Sequence, residues 1–321
     1  MDTLETKTPI RLFIFHNPVA GRGDLFHPRR RIEAYCERRG WAYEIYETGE
    51  DEDLVPIVQQ AVRSGFSAVA AAGGDGTVSA VAGGLVFAET PLLILPTGTG
   101  NLLSRDLGVP QDLNRALELA GGGSAVQLLD TMEIAGRHYV MNAGVGLSSQ
   151  IIQNTDRRQK RRLGVLAYVK SGGQALLGLQ PYGFRLVVDG RALRMRASEV
   201  LVCCGGLLGV RVPFEDLHVL PDDGKVDLFI VKARSLPGYA ELLYYILRRK
   251  PRSAPKMVYM QAAERIEIAC DSVLPAEADG EVIGATPLAI NIVPRAVRVL
   301  VPDERPPDLA GRLRALVGRS G

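Results

Sequence analysis

At 321 residues the chain is about twice a typical domain, so two domains are expected, and a hydrophobic content of 46% suffices to fill their cores. Its 38 basic and 36 acidic residues nearly cancel to +2, which argues against a dedicated nucleic-acid binder, since such proteins are strongly basic. Four cysteines, Cys36, Cys203, Cys204 and Cys270, show no C-x-x-C spacing and read as reduced thiols of a cytoplasmic protein. The opening "MDTLETKTPI" lacks the charged-then-apolar pattern of an export signal. The longest uncharged apolar stretches fall short of the roughly 18 to 20 residues of a spanning helix. The expected location is the cytoplasm, with attachment to a membrane surface left open.

In chain order, "IRLFIFHNP" from Ile10 reads as a strand ending in a turn, and the segment after it becomes helical from about Pro28. A strand "AYEIYET", a helix over 51–64, a strand "FSAVAAA", a Gly-rich turn with its helix and a strand "PLLILPTG" follow. This alternation implies βαβ units on a parallel sheet, whose ligands sit at the carboxyl ends of the strands. Three loops meet that description: "HNPVAGRG", "GGDGT" and "PTGTGN".

After about Gly121 the pattern becomes β-rich, with "AGR" and "DGR" resembling hairpin turns, so an antiparallel second domain is expected. Helical stretches near Leu163 to Leu179 and Leu236 to Arg249 interrupt it. The tail "DLAGRLRALVGR" repeats apolar residues at helical spacing, and is expected to return to the first domain. The expected division is 1–125, 126–295 and a C-terminal segment 296–321.

The stretch "AAAGGDGTVS" (Ala70 to Ser79) concentrates the chemistry of the first domain. Glycines let the backbone approach a ligand, and the unpaired N–H groups of a helix start favour an anion such as phosphate. Asp75 brings negative charge to that place, which suits a bridging Mg²⁺ or a proton acceptor; a helix cap is the alternative. "GTGN" repeats the device, with hydroxyl and amide donors between glycines. No P-loop and no G-x-G-x-x-G opening a helix is present. His16, His27, His138 and His218 lack metal-ligand spacing.

Five motifs occur in a diagnostic order: "HNPVAGRG" (16–23), "GGDGT" (73–77), "LPTGTGN" (95–101), "LPDDGKVD" (220–227) and "ADGEVIGATPL" (278–288). In this the chain resembles the diacylglycerol kinase catalytic-domain family, which includes bacterial lipid kinases and sphingosine kinases, over roughly Arg11 to Pro302. The resemblance implies a nucleotide-binding α/β domain like that of NAD kinases and phosphofructokinases, followed by a β-sandwich domain. It implies ATP contacts at Asn17, Thr48, Gly73, Gly74, Asp75, Gly76, Thr77, Val78, Ser79 and Thr99. It further implies a structural Mg²⁺ held by the carbonyls of Leu220 and Lys225 and the carboxylate of Asp223. Two acids qualify as base for a lipid hydroxyl; Glu281 in "ADGE" is assigned that role, with Asp75 organising ATP and Mg²⁺.

The sequence departs from the family where Asn and Glu often follow "GGDGT" and this chain has Ser79 and Ala80, and where Phe-Asp-Ala often follows "NAGVG" and this chain has "LSS". An acid is thus missing near Leu147. The basic clusters "RRQKRR" (157–162) and "RRKPR" (248–252) read either as solvated faces or as docking sites for anionic lipid. The implied activity is phosphoryl transfer from ATP to a lipid hydroxyl at the membrane surface. An NAD kinase-like enzyme and a non-catalytic nucleotide- or lipid-binding regulator are the alternatives. Intact Asp75 and Glu281 count against the regulator, and a homodimer is compatible with all three.

Overall fold

The computed structural model describes residues 9–20, 27–50, 52–154, 181–205, 217 and 219–303. They form two compact units, 9–128 with 297–303, and 129–296. The helix expected near 163–179, the cluster 157–162 and the tail from 304 lie outside the described residues.

In the first unit, strands β1 (Arg11–His16), β2 (Ala42–Glu47), β3 (Ala68–Gly73) and β4 (Leu92–Pro96) form a parallel sheet in the order β2-β1-β3-β4. Every residue of β3 and β4 is buried, as continuous apolar runs in a central parallel sheet require. The end of a long strand, β16 (Leu288–Pro302), runs parallel to β4 with Val299 opposite Leu92. Helix α1 (Pro28–Arg39) begins where the sequence indicates. Helix α2 (Val55–Arg63) starts four residues later than expected, because Pro56 is tolerated only in a first turn. After β3 comes α3 (Asp75–Gly84). Two short helices unforeseen in the sequence, α4 (Leu102–Asp106) and α5 (Leu113–Glu118), follow β4.

The chain enters the second unit inside β5 (Ser124–Ile134) and leaves it inside β16. Between them lie β6 (Arg137–Tyr139), β7 (Asn142–Gly146), α6 (Leu147–Asn154), β8 (Tyr182–Val188), β9 (Arg191–Ala197), β10 (Glu199–Cys203) and β11 (Val226–Val231). Helix α7 (Leu236–Leu247) and strands β12 (Met257–Ala262), β13 (Arg265–Cys270), β14 (Pro275–Ala278) and β15 (Glu281–Ala285) complete the unit.

One antiparallel sheet has the order β12-β11-β10-β7-β14-β15, and β16, β13, β8 and β9 form the other. Alternate residues from each enter one core, Val200, Val202, Leu228 and Ile230 from the first and Phe184, Leu186, Ile266 and Ile290 from the second. That is a β-sandwich. Two-residue turns with positive φ at both positions, Ala135–Gly136, Asp189–Gly190 and Asp279–Gly280, close its hairpins.

Candidate functional site

The first candidate surface lies where β3 and β4 end. The carbonyl of Gly73 accepts from the backbone N–H groups of Thr97 (3.1 Å) and Gly98 (3.2 Å), so the two glycine loops are stitched together. A Cβ at Gly98 would collide with the Cα of Gly74, and one at Gly73 with the side chain of Thr77. These glycines are therefore required by close packing. Gly76 differs: it is exposed, and a Cβ there would meet nothing within 4 Å. Gly76 lies in the first turn of α3, whose leading N–H groups have no intrahelical acceptors, and no side chain caps them. Backbone donors, helix dipole and open space coincide there, the combination an anion needs.

Asp75 does something the sequence did not show. Its Oδ1 accepts from the backbone N–H groups of Leu102 (2.6 Å) and Leu103 (3.2 Å), capping α4 across the loop instead of its own helix. Its Oδ2 is turned toward Gly100, where a Cβ would come within 2.9 Å. Burial raises the pKa of this carboxyl, opposed by the N–H groups of Leu103 and Leu102. Asp75 thus joins "GGDGT" to "PTGTGN".

Asn17 donates through Nδ2 to Thr77 Oγ1 (3.1 Å) while its Oδ1 accepts from Val19 N (3.1 Å), linking the end of β1 to the start of α3. Thr48 is tied through its N–H to the carbonyl of His16 (3.0 Å). Thr77, Val78 and Ser79 are buried, Asn17 and Thr48 half-buried and Thr99 exposed. The implied nucleotide contacts thus divide into the buried Gly73, Thr77, Val78 and Ser79 and a set with exposed surface, Asn17, Thr48, Gly74, Asp75, Gly76 and Thr99. Asn101, in the left-handed region at φ 51°, binds the carbonyl of Gly98 through Nδ2 (3.0 Å) and holds the second loop closed.

In the second unit, Glu281 is exposed at the start of β15. The turn before it is fixed by Asp279, whose Oδ1 accepts from Met141 N (3.1 Å) and Asn142 N (2.9 Å) and whose Oδ2 accepts from Val140 N (3.0 Å). Sequence reading passed over this residue, although an Asp before a turn glycine is a local signal.

The "LPDDGKVD" loop is held by Asp130, fully buried in β5, which accepts from Gly224 N (2.7 Å) and Arg295 N (2.8 Å). Burial, then the neighbouring Asp223 and Asp222, raise the pKa of Asp130 against those two bonds. Asp223 accepts from Lys225 N (3.0 Å) through Oδ1, which leaves its other oxygen and the Leu220 and Lys225 carbonyls as candidate donors. An all-oxygen set beside concentrated negative charge fits a hard cation in donor type.

Two acids from other strands lie beside the "LSS" stretch. Ser148, in the first turn of α6, donates through N and Oγ to Glu199 (2.7 and 2.6 Å). A Cβ at Gly144 would lie 2.8 Å from Glu277 Oε1 and 3.1 Å from Glu199 Oε1, so two carboxylates crowd over one glycine. Both are buried, and both pKa values are raised, first by burial and for Glu277 next by Glu199.

A parallel α/β unit with two glycine loops at its strand ends and a β-sandwich unit together define a class of two-domain phosphotransferases. A family model for the diacylglycerol kinase catalytic domain matches residues 11–134, and one for the YegS C-terminal NAD kinase beta sandwich-like domain matches 141–301. The chain belongs to the diacylglycerol kinase catalytic-domain family, a family of kinases. It is 27% identical over 306 residues to a diacylglycerol kinase of Bacillus subtilis, covering 93% of this chain and 99% of that one. An uncharacterized protein of Synechocystis sp. is 27% identical over 314 residues, 94% of this chain and 71% of its own. A solved structure described as a diacylglycerol kinase from Bacillus anthracis aligns with a TM-score of 0.73 at 26% identity, covering 92% of this chain and 98% of that one. Among the described residues no helix is long and apolar enough to cross a membrane.

Proposed function

We propose that this kinase transfers the γ-phosphate of ATP to the hydroxyl of a diacylglycerol-like or sphingoid lipid. The observation that carries the reading is the open, donor-rich surface over Gly76, bounded by two glycine loops that Asp75 and Gly73 join. In this reading the N–H groups at the start of α3 hold phosphate oxygens, and Asn17, Thr48 and Thr99 supply polar contacts. Mg²⁺, when bound with the nucleotide, would neutralise charge on the transferring group.

Glu281 accepts the proton of the lipid hydroxyl as its oxygen bonds to the γ-phosphorus and the bond to the β,γ-bridging oxygen breaks, releasing ADP. Exposure of Glu281 on a pinned turn supports this role, because a base must be open to its substrate and yet be held in position. The carbonyls of Leu220 and Lys225 and the carboxylate of Asp223 would hold a separate cation with a structural role. The chain works in the cytoplasm, at the surface of the membrane that supplies its acceptor.

Purified protein incubated with labelled ATP and a total lipid extract is expected to give a labelled phospholipid, and none would remove the lipid-kinase reading. Glu281→Gln should retain ATP binding and lose turnover by about 10²-fold or more. Near-normal turnover would transfer the proton-accepting role to another acid.

A further inference from the structure

Helix α7 breaks the rule for a surface helix. Its twelve residues, "LPGYAELLYYIL", contain one charged side chain, Glu241, and that carboxylate is paired with Lys256 Nζ at 2.7 Å. The inner face is well anchored: Leu242 is buried, Ile246 packs on the cluster of Cys203, Leu217 and Phe229, and the Tyr239 hydroxyl lies 2.7 Å from Ser198 Oγ. The outer face should therefore be polar. Instead Leu236, Leu243, Tyr244 and Leu247 are 53%, 54%, 51% and 75% exposed. At 100° per residue these four fall within an arc of roughly 100°, forming a continuous apolar stripe along the helix.

The stripe ends in cations. Arg248, Arg249, Lys250 and Arg252 follow within five residues of Leu247. Arg248 lies over the Tyr244 ring, 5.3 Å from its centroid, and donates through Nε to the Tyr244 hydroxyl at 3.0 Å, so a charge is fixed at the margin of the apolar strip. With a formal net charge of only +2 on the whole chain, this concentration of positive charge is local. An apolar stripe with an aromatic ring at its edge and basic residues at its end is complementary to one kind of surface, acyl chains beneath anionic head groups. We propose that the outward face of α7 docks the protein on an anionic lipid bilayer, Leu236, Leu243 and Leu247 entering the interface while the following basic residues meet the head groups.

The lipid-kinase reading gives such a surface a purpose, but the test involves neither ATP nor phosphate transfer, so either idea can fail alone. Wild type and the double variant Leu243→Glu/Leu247→Glu would be sedimented with phosphatidylcholine vesicles, with and without about 30 mol % phosphatidylglycerol, at low salt and at roughly 0.5 M salt. Wild type is expected to bind the anionic vesicles and to be released by salt, and the variant to bind about tenfold less or weaker still. Both positions face outward, so the thermal midpoint should not move. Wild type that ignores anionic vesicles, or a variant that binds as wild type does, overturns the proposal. So does a variant that lowers the mass measured by light scattering, which would make α7 a contact between two copies of the chain.

Discussion

The glycines of the two loops separate into kinds that their letters do not distinguish. Gly98 lets two backbones touch and Gly73 leaves room for the Thr77 side chain, whereas Gly76 leaves a space empty. Gly98→Ala should then destabilise the fold by about 1–3 kcal/mol, because the clash is with backbone that cannot rotate away. Gly76→Val should leave thermal stability nearly unchanged and abolish ATP binding, because its side chain fills the anion's place. Thermal unfolding with a nucleotide-binding titration on both variants separates the two. Unchanged ATP affinity in folded Gly76→Val would remove this turn from the nucleotide site. The loop was legible in the sequence as a strand end passing into a helix, because a buried apolar run that stops at glycines marks such a turn. Which glycine packs and which stays open was not, since that depends on a second loop more than twenty residues away.

Among elements, the long alternating segments were readable and the short ones were not. β1, β3 and β4 follow from apolar runs bounded by turn residues, and α7 from an apolar stretch of helical length. α4 and α5, of five and six residues, are too short to show a period. Asp112 caps α5 locally, accepting from Asn114 N and Arg115 N (both 3.1 Å). The cap of α4 comes from Asp75, twenty-seven residues earlier than Leu102.

That arrangement gives Asp75 two separable duties. Asp75→Ala removes the acceptor and should cost about 0.5–2 kcal/mol, as other lost caps do, as well as nucleotide use. Asp75→Asn keeps an oxygen that can accept from Leu102 and Leu103, so its stability should stay close to wild type while the missing charge still impairs turnover. Equal destabilisation by both substitutions, read from denaturant midpoints, would show that the charge and not the hydrogen bonds holds α4.

At the scale of the whole molecule, the feature least visible in the sequence is the pair Glu199 and Glu277. They are far apart in the chain and lie in segments that look like ordinary strands. Register brings them together, because β7 pairs with both their strands, Gly146 standing opposite Glu199 and Gly144 opposite Glu277. The glycine run of "NAGVG" supplies the missing bulk that lets two carboxylates approach. The titratable groups around them are Asp279 beside Glu277, Tyr239 on α7, which feels Glu199, and Cys203 on β10, which feels Glu277. Among the described residues no Lys, Arg or His is in an ion pair with either acid.

Two buried like charges with no counter-ion among the described residues cannot both ionise cheaply, so a proton is expected to stay on the pair near neutrality. Glu199 is pushed up to about 7 and Glu277 to about 8. The folded chain therefore holds protons that the unfolded chain releases above about pH 4.5. By linkage this stability is fully present below that value and is lost as pH rises toward 8. Glu277→Gln imitates the protonated acid and relieves Glu199 of its neighbour's charge. It should match wild type near pH 5 and become the more stable of the two toward pH 8, by roughly 1–3 kcal/mol. Thermal midpoints of both proteins across that range test the sign directly. Parallel curves would mean that the carboxylates are already ionised and balanced by a cation.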